Sequence, residues 1–284
     1  MSKTLSVILA ISILLMLYAY PRILEIYKPI DTNKINWNKI FDLKTLDKDY
    51  IAQGIEIYNN YLLYTVHKRD AESHLLVFEI KSNKNLKHLF TTSFPKVATH
   101  VSDLSIHNNF LYAIDYASYN LYKIDITKTL DAKTLIIERT IPTNLTNSGS
   151  IIVTNYNEKD IILISQFIVN KNIKAFYLDN LADKNKKPIF EIESKYYIQG
   201  LYADNNHIYI TSNSYGVDPI FITKKSVLFN TKNLHNKSTI SFNGPGKMIE
   251  DIVLYDDYII TSDEETNKIY ISTEKIKNVL NEKE

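Results

Sequence analysis

Gly54-Ile55-Glu56-Ile57-Tyr58-Asn59-Asn60-Tyr61-Leu62-Leu63 and Asp103-Leu104-Ser105-Ile106-His107-Asn108-Asn109-Phe110-Leu111-Tyr112 are two copies of one pattern. A Gly or Asp opens an apolar alternation, a pair of Asn or Asp residues follows, and a second apolar run begins. The pattern returns at Gly200 with Asn205-Asn206 and at Asp251 with Asp256-Asp257. A less regular copy starts near Ser150, with a longer turn expected over Asn157-Glu158-Lys159-Asp160. The starts at 54, 103, 150, 200 and 251 are 49, 47, 50 and 51 residues apart. A fixed period of this size marks a repeat architecture, and all-β units of about 40–50 residues mark a β-propeller.

Each repeat reads as four antiparallel strands. The Asn/Asp pair makes a two-residue hairpin between the first and second, because these residues tolerate the positive φ that such turns require. Third strands follow near 75–80, 121–126, 173–178, 220–223 and 268–272, and fourth strands near 89–94, 135–141, 189–193 and 239–242. The fifth repeat lacks a fourth strand, because Thr273–Glu284 reads as a short helix. Trp37–Lys44 has the alternation to supply it and to remove an exposed sheet edge. The expected fold is therefore all-β, a five-bladed propeller of four-stranded blades closed by an N-terminal outer strand.

Composition agrees. The chain has 284 residues, 45% of them apolar or aromatic, enough for one large domain. Its 21 tyrosines suit pleated, half-buried surfaces. A net charge of +1 and the lack of a basic block argue against nucleic acid as a partner. The absence of cysteine excludes disulfides, thiol nucleophiles and zinc-thiolate sites.

Lys3 precedes eighteen uncharged residues, Thr4 to Pro21. As a helix they extend about 27 Å, close to the thickness of a bilayer core. A cleaved signal peptide and an uncleaved anchor both fit. The anchor is favoured because Leu17 stands where a second small residue would precede a cut after Ala19. The expected organisation is a transmembrane helix over 1–21, a linker over 22–36 and a propeller over 37–284. The expected location is the cell membrane, single-pass, with the propeller on the extracytoplasmic (periplasmic) side; secretion after cleavage is the alternative.

In a propeller the channel mouth gathers the starts of the inner strands and the loops between second and third strands. Candidate ligand-binding residues there are Gln53, His100, Asp103, Asp115, Gln199, Glu250, Asp251 and Asp263, with Ser102, Ser150, His67, Arg69, Asp70, Tyr215, Asp218, Glu264 and Glu265 nearby. Asp103 and Asp115 are twelve residues apart, as are Asp251 and Asp263. Converging carboxylates suit a hard cation, so Asp103 and Asp251 are candidate calcium ligands. They are also candidates for an acid–base pair, or for caps on turn amides. No zinc-protease helix motif, nucleophile elbow or phosphate-binding glycine loop is present.

The repeat resembles the propellers built from degenerate blades of the NHL, YVTN and WD40 kind. Tyr197-Ile198-Gln199-Gly200-Leu201-Tyr202 with Thr211-Ser212-Asn213-Ser214-Tyr215-Gly216 resembles the first blade of propeller-type glutaminyl cyclases, which are also five-bladed, and Ile51-Ala52-Gln53-Gly54-Ile55 echoes it. Ile210 stands where that family carries an acidic residue, and no Trp-Gly-Glu-Gly follows in the next blade. The resemblance therefore implies the fold and transfers no catalytic residue. The expected function is a binding or interaction module that meets a protein, glycan or small ligand through its channel face. An extracytoplasmic cyclase, hydrolase or lactonase-like enzyme is the alternative.

Overall fold

The hairpin turns set the register of the blades. Asn108 and Asn109, Asn157 and Glu158, and Asp256 and Asp257 all adopt positive φ, between 49° and 68°. This is the mirror-image turn whose twist matches the flanking strands. The third copy is regular here, against expectation. Tyr156 pairs directly with Lys159, so Asn157-Glu158 is a two-residue turn like the others. The fourth copy turns differently: Asp204 Oδ1 accepts the amides of Asn206 and His207 at 2.7 and 2.6 Å.

The computed structural model describes residues 33–69, 71–166, 170–213, 219–235 and 238–281. Strand β1 (Trp37–Asp42) comes first in the chain. The first four-stranded sheet is β2 (Ile51–Tyr58), β3 (Tyr61–His67), β4 (His74–Ile80) and β5 (Leu86–Ser93). The second is β6 (Val101–His107), β7 (Phe110–Asp115), β8 (Asn120–Asp125) and β9 (Ile137–Pro142). The third is β10 (Ser148–Tyr156), β11 (Lys159–Gln166), β12 (Asn170–Tyr177) and β13 (Phe190–Ile192). The fourth is β14 (Tyr197–Ala203), β15 (His207–Asn213), β16 (Pro219–Lys224) and β17 (Ile240–Asn243). The fifth is β18 (Ile249–Tyr255), β19 (Tyr258–Asp263) and β20 (Lys268–Ser272), with β1 outermost and Trp37 opposite Ser272. All pairings within the sheets are antiparallel.

The innermost strands β2, β6, β10, β14 and β18 pack on one another in sequence, and β18 returns to β2. The chain is thus a five-bladed β-propeller around a central channel. The core is correspondingly divided into five apolar clusters, one between each pair of neighbouring blades. Tyr64, Tyr122 and Tyr209 are fully buried in these seams, as expected for tyrosines on alternating strand positions.

Two short helices were not expected. Helices α1 (Ile126–Ala132) and α2 (Lys225–Thr231) bridge the third and fourth strands of blades two and four. Asp125 caps the first by accepting the amide of Lys128, a favoured residue at this position. A third, α3 (Ile276–Asn281), follows β20 and buries Ile276 and Leu280. Residues 33–36, the end of the expected linker, pack along β17. Asn33 N donates to Ser241 O at 2.9 Å, Ile35 N donates to Asn243 Oδ1 at 2.8 Å, and Ile35 is buried. The expected anchor over 1–21 and the linker up to residue 32 lie outside the described residues. Among the described residues no helix is long and apolar enough to cross a membrane.

Glycine appears where neighbouring inner strands touch. A Cβ on Gly54 would lie 2.6 Å from Asp103 Cα, and one on Gly200 would lie 2.5 Å from Asp251 Cα. Main-chain atoms cannot give way as a flexible side chain can. Gly54→Ala and Gly200→Ala are each expected to destabilise the fold by about 1–3 kcal/mol, the usual cost of overpacking. A lowered urea midpoint at unchanged slope checks this.

Candidate functional site

Every inner strand breaks register near its start. The irregularities lie between Ala52 and Ile55, Val101 and Asp103, Ser148 and Ser150, Ile198 and Gly200, and Ile249 and Ile252. A bulge leaves a residue out of the ladder and re-aims the side chains around it. Here the break contains Gln53, Ser102, Gly149, Gln199 and Glu250, and these five residues line one cavity of about 240 Å³. His100, Tyr116, Met248 and Glu264 complete its wall. Each blade thus contributes one bulge residue to a ring at the channel mouth.

Within the ring the side chains are already oriented. His100 Nε2 lies 2.8 Å from Gln53 Oε1. Gln199 Nε2 donates to Glu250 Oε1 at 3.4 Å. The His100 ring stacks on His67 at 4.4 Å and meets Tyr116 at 5.2 Å, giving one side of the mouth an aromatic wall. Burial pushes His100 below the ordinary histidine range, against the pull of the Asp115 carboxylate. Burial, helped by His100, pushes His67 down to about 4. Both rings are therefore neutral near pH 7 and present aromatic faces without positive charge.

The sequence placed Gln53, His100, Gln199 and Glu250 at the mouth, with Ser102 and Glu264, and the structure brings all six together there. Tyr116, Gly149 and Met248 were missed. Tyr116 directly follows Asp115 and Met248 lies two residues before Glu250, so each had a sequence signal through its neighbour. Asp70, Tyr215 and Asp218 lie outside the described residues.

The four aspartates occupy a different layer. Asp103, Asp115, Asp251 and Asp263 are all 0% exposed and do not line the cavity. Asp115 Oδ1 accepts the amide of His100 at 2.8 Å and Oδ2 that of Ser118 at 2.7 Å. Asp263 repeats the device on Met248 N at 3.2 Å and on the Thr266 hydroxyl at 2.5 Å. Each ties its own turn to the loop arriving from the preceding blade. Asp103 accepts Leu104 N at 2.6 Å and Ile151 N at 2.7 Å. Asp251 accepts Ile252 N at 2.7 Å and Ile55 N at 2.8 Å. The twelve-residue spacing therefore repeats a structural arrangement of backbone acceptors. Among the described residues no three His, Asp or Glu side chains gather in a way that could hold a metal ion.

No family model matches the chain, and no curated protein sequence matches it. Among solved structures it is similar to the glutaminyl cyclase of Myxococcus xanthus, with 11% identity and a TM-score of 0.58 over 85% of this chain and 97% of that one. A structure from a nidogen/laminin complex matches with 9% identity and a TM-score of 0.48, covering 80% of each chain. The similarity to the cyclase concerns the fold alone.

Because all four oxygens of Asp103 and Asp251 already accept main-chain amides, little capacity remains for a cation that wants six to eight oxygen ligands. The melting temperature is expected to be the same in calcium and in EDTA. A calcium-dependent rise would instead place a metal ion on this pair.

Proposed function

We propose that this chain is a binding module whose channel mouth takes a small polar ligand, held near a membrane by its N-terminal segment. The observation that carries the reading is the ring of five bulge residues around one cavity. A concave site with a few convergent polar groups is the usual form of a ligand pocket. The lining is rich in acceptors: two glutamates, two glutamine carbonyls, and the Ser102 and Tyr116 oxygens. No lysine or arginine stands among the described lining residues. With the neutral aromatic wall of His67, His100 and Tyr116, this favours a donor-bearing ligand such as an amine over an anion. The apolar stretch from Thr4 to Pro21 supports membrane attachment, with the propeller outside the cytoplasm.

Thermal shift across a panel of small amines, sugars and carboxylates tests the site. Stabilisation by an amine, lost in Glu250→Gln and in Gln199→Ala, is the expected result. Stabilisation by carboxylates alone would overturn the ligand class. Membrane attachment is tested separately. The full chain is expected in the membrane fraction and a chain starting at residue 31 in the soluble fraction; recovery of both in the soluble fraction would remove the anchor.

An enzymatic reading has one observation in its favour. Glu250 is a largely buried carboxyl at the mouth, 7% exposed, beside Gln199 in the segment that resembles the glutaminyl cyclases. Ammonia release from a peptide with N-terminal glutamine, abolished by Glu250→Gln, would establish it. Binding without release would leave the mouth a recognition site.

A further inference from the structure

Three consecutive blade junctions each rest on a carboxyl group from an inner strand. Asp251 of blade five accepts Ile55 N of blade one at 2.8 Å. Glu56 of blade one accepts Ile106 N of blade two at 3.1 Å and its own neighbour Ile57 N at 2.8 Å. Asp103 of blade two accepts Ile151 N of blade three at 2.7 Å. The three groups also lie together: a Cβ on Gly54 would sit 2.6 Å from Asp103 Cα, and Asp251 accepts the amide of the next residue, Ile55, which directly precedes Glu56. All three are buried, at 6% exposure or less. At the remaining two junctions no carboxyl accepts a main-chain amide among the described hydrogen bonds, although Glu250 of blade five accepts the Gln199 side chain of blade four. The Ser150, Thr154 and Thr211 hydroxyls also make contacts there.

Three buried carboxyls this close together resist ionising together. We propose that Glu56, Asp103 and Asp251 form a proton-dependent latch that holds blades five, one, two and three together and loosens when its protons leave. Burial, which disfavours a carboxylate in a low-dielectric setting, pushes Glu56 and Asp103 each up to about 8 and raises Asp251 well above the carboxylate range. Among the described residues no cation is paired with these carboxyls. Strand β18 adds the acid Glu250, β7 and β19 bring Asp115 and Asp263, and β3 and β14 bring Tyr64 and Tyr202. Tyr156, at the far end, is the sole ionisable side chain of β10. The basic groups on or against these strands face elsewhere: His100 bonds Gln53, His107 lies 2.9 Å from Asp160, His67 stacks on His100, and Lys225 donates to Thr154.

The direction of the pH effect follows. These groups titrate higher in the folded chain than in the unfolded chain, where carboxyls titrate near 4. Their stabilisation is fully present below that value and is lost as pH rises, through about 8 for Glu56 and Asp103. The buried histidines act the opposite way, but only below about pH 6.5. Urea unfolding between pH 7 and about 9.5 lies above the histidine range and below the ordinary tyrosine and lysine range; Lys186 and Lys225, lowered by burial, act in the opposite direction to the latch. The folding equilibrium constant is expected to fall about tenfold per pH unit for each proton held. Asp251→Asn and Glu56→Gln should flatten this slope while lowering stability at pH 7. Should either variant fail to fold, infrared spectroscopy of the wild-type chain with labelled aspartate carboxyls decides. A protonated-acid carbonyl band at pH 7 that weakens as pH rises to about 9.5 is expected. A wild-type chain whose stability is flat across this range, a slope unchanged in both variants, or the absence of that band at pH 7 would each overturn the latch.

Discussion

The propeller depends on side chains of one inner strand accepting main-chain amides of the next. Neighbouring blades do not share a β-ladder, so the amides on the facing sides of inner strands need other partners. A buried amide left unpaired costs about 1–3 kcal/mol. Asp251, Glu56, Asp103 and Ser105 meet this demand at Ile55, Ile106, Ile151 and Val153, with bonds of 2.7 to 3.1 Å. Apolar seams fill the space between blades, but they are non-directional. At the three junctions from blade five to blade three the oxygen acceptors fix how far one inner strand sits along the next, and the Ser150 and Thr211 hydroxyls contact the next blade at the other two.

That alignment makes the mouth. One bulge per inner strand, at equivalent heights, lifts Gln53, Ser102, Gly149, Gln199 and Glu250 out of their ladders and turns them to a common cavity. The residue that follows each bulge lies beneath, in the layer where blades touch. Two adjacent sequence positions thus serve two purposes. The first belongs to the ligand face and the second to the ring.

Much of this was legible in the sequence, and the part that was not has a specific cause. The hairpin pairs Asn108-Asn109 and Asp256-Asp257 announce their turns because few residues accept positive φ. The hydrophobic alternation announces the strands, although the helices over Ile126–Ala132 and Lys225–Thr231 escaped notice as parts of loops. Gln53, Gln199 and Glu250 begin the inner strands, and they line the cavity. Asp103 and Asp251 were expected to face the ligand with them and instead face the neighbouring blade. Strand alternation assumes an unbroken ladder, and a one-residue irregularity exchanges the faces of everything beyond it. The bulge leaves no mark in a single repeat. It becomes visible only when the pairing of all five inner strands is seen together.

The degeneracy of the position after the bulge then has a physical reading. Around the ring it is Gly54, Asp103, Ser150, Gly200 and Asp251. Both glycines precede an aspartate on the next blade, and in both cases the aspartate's main chain occupies the space a Cβ would need. Both aspartates in turn reach forward to an amide of the following blade, Ile151 or Ile55. Residue choice at this position is therefore set across the junction, with a small residue on one side allowing an acceptor on the other. A substitution there must be judged against the neighbouring blade. Filling Gly200 disturbs Asp251, and through Asp251 the amide of Ile55, which lies a full blade beyond.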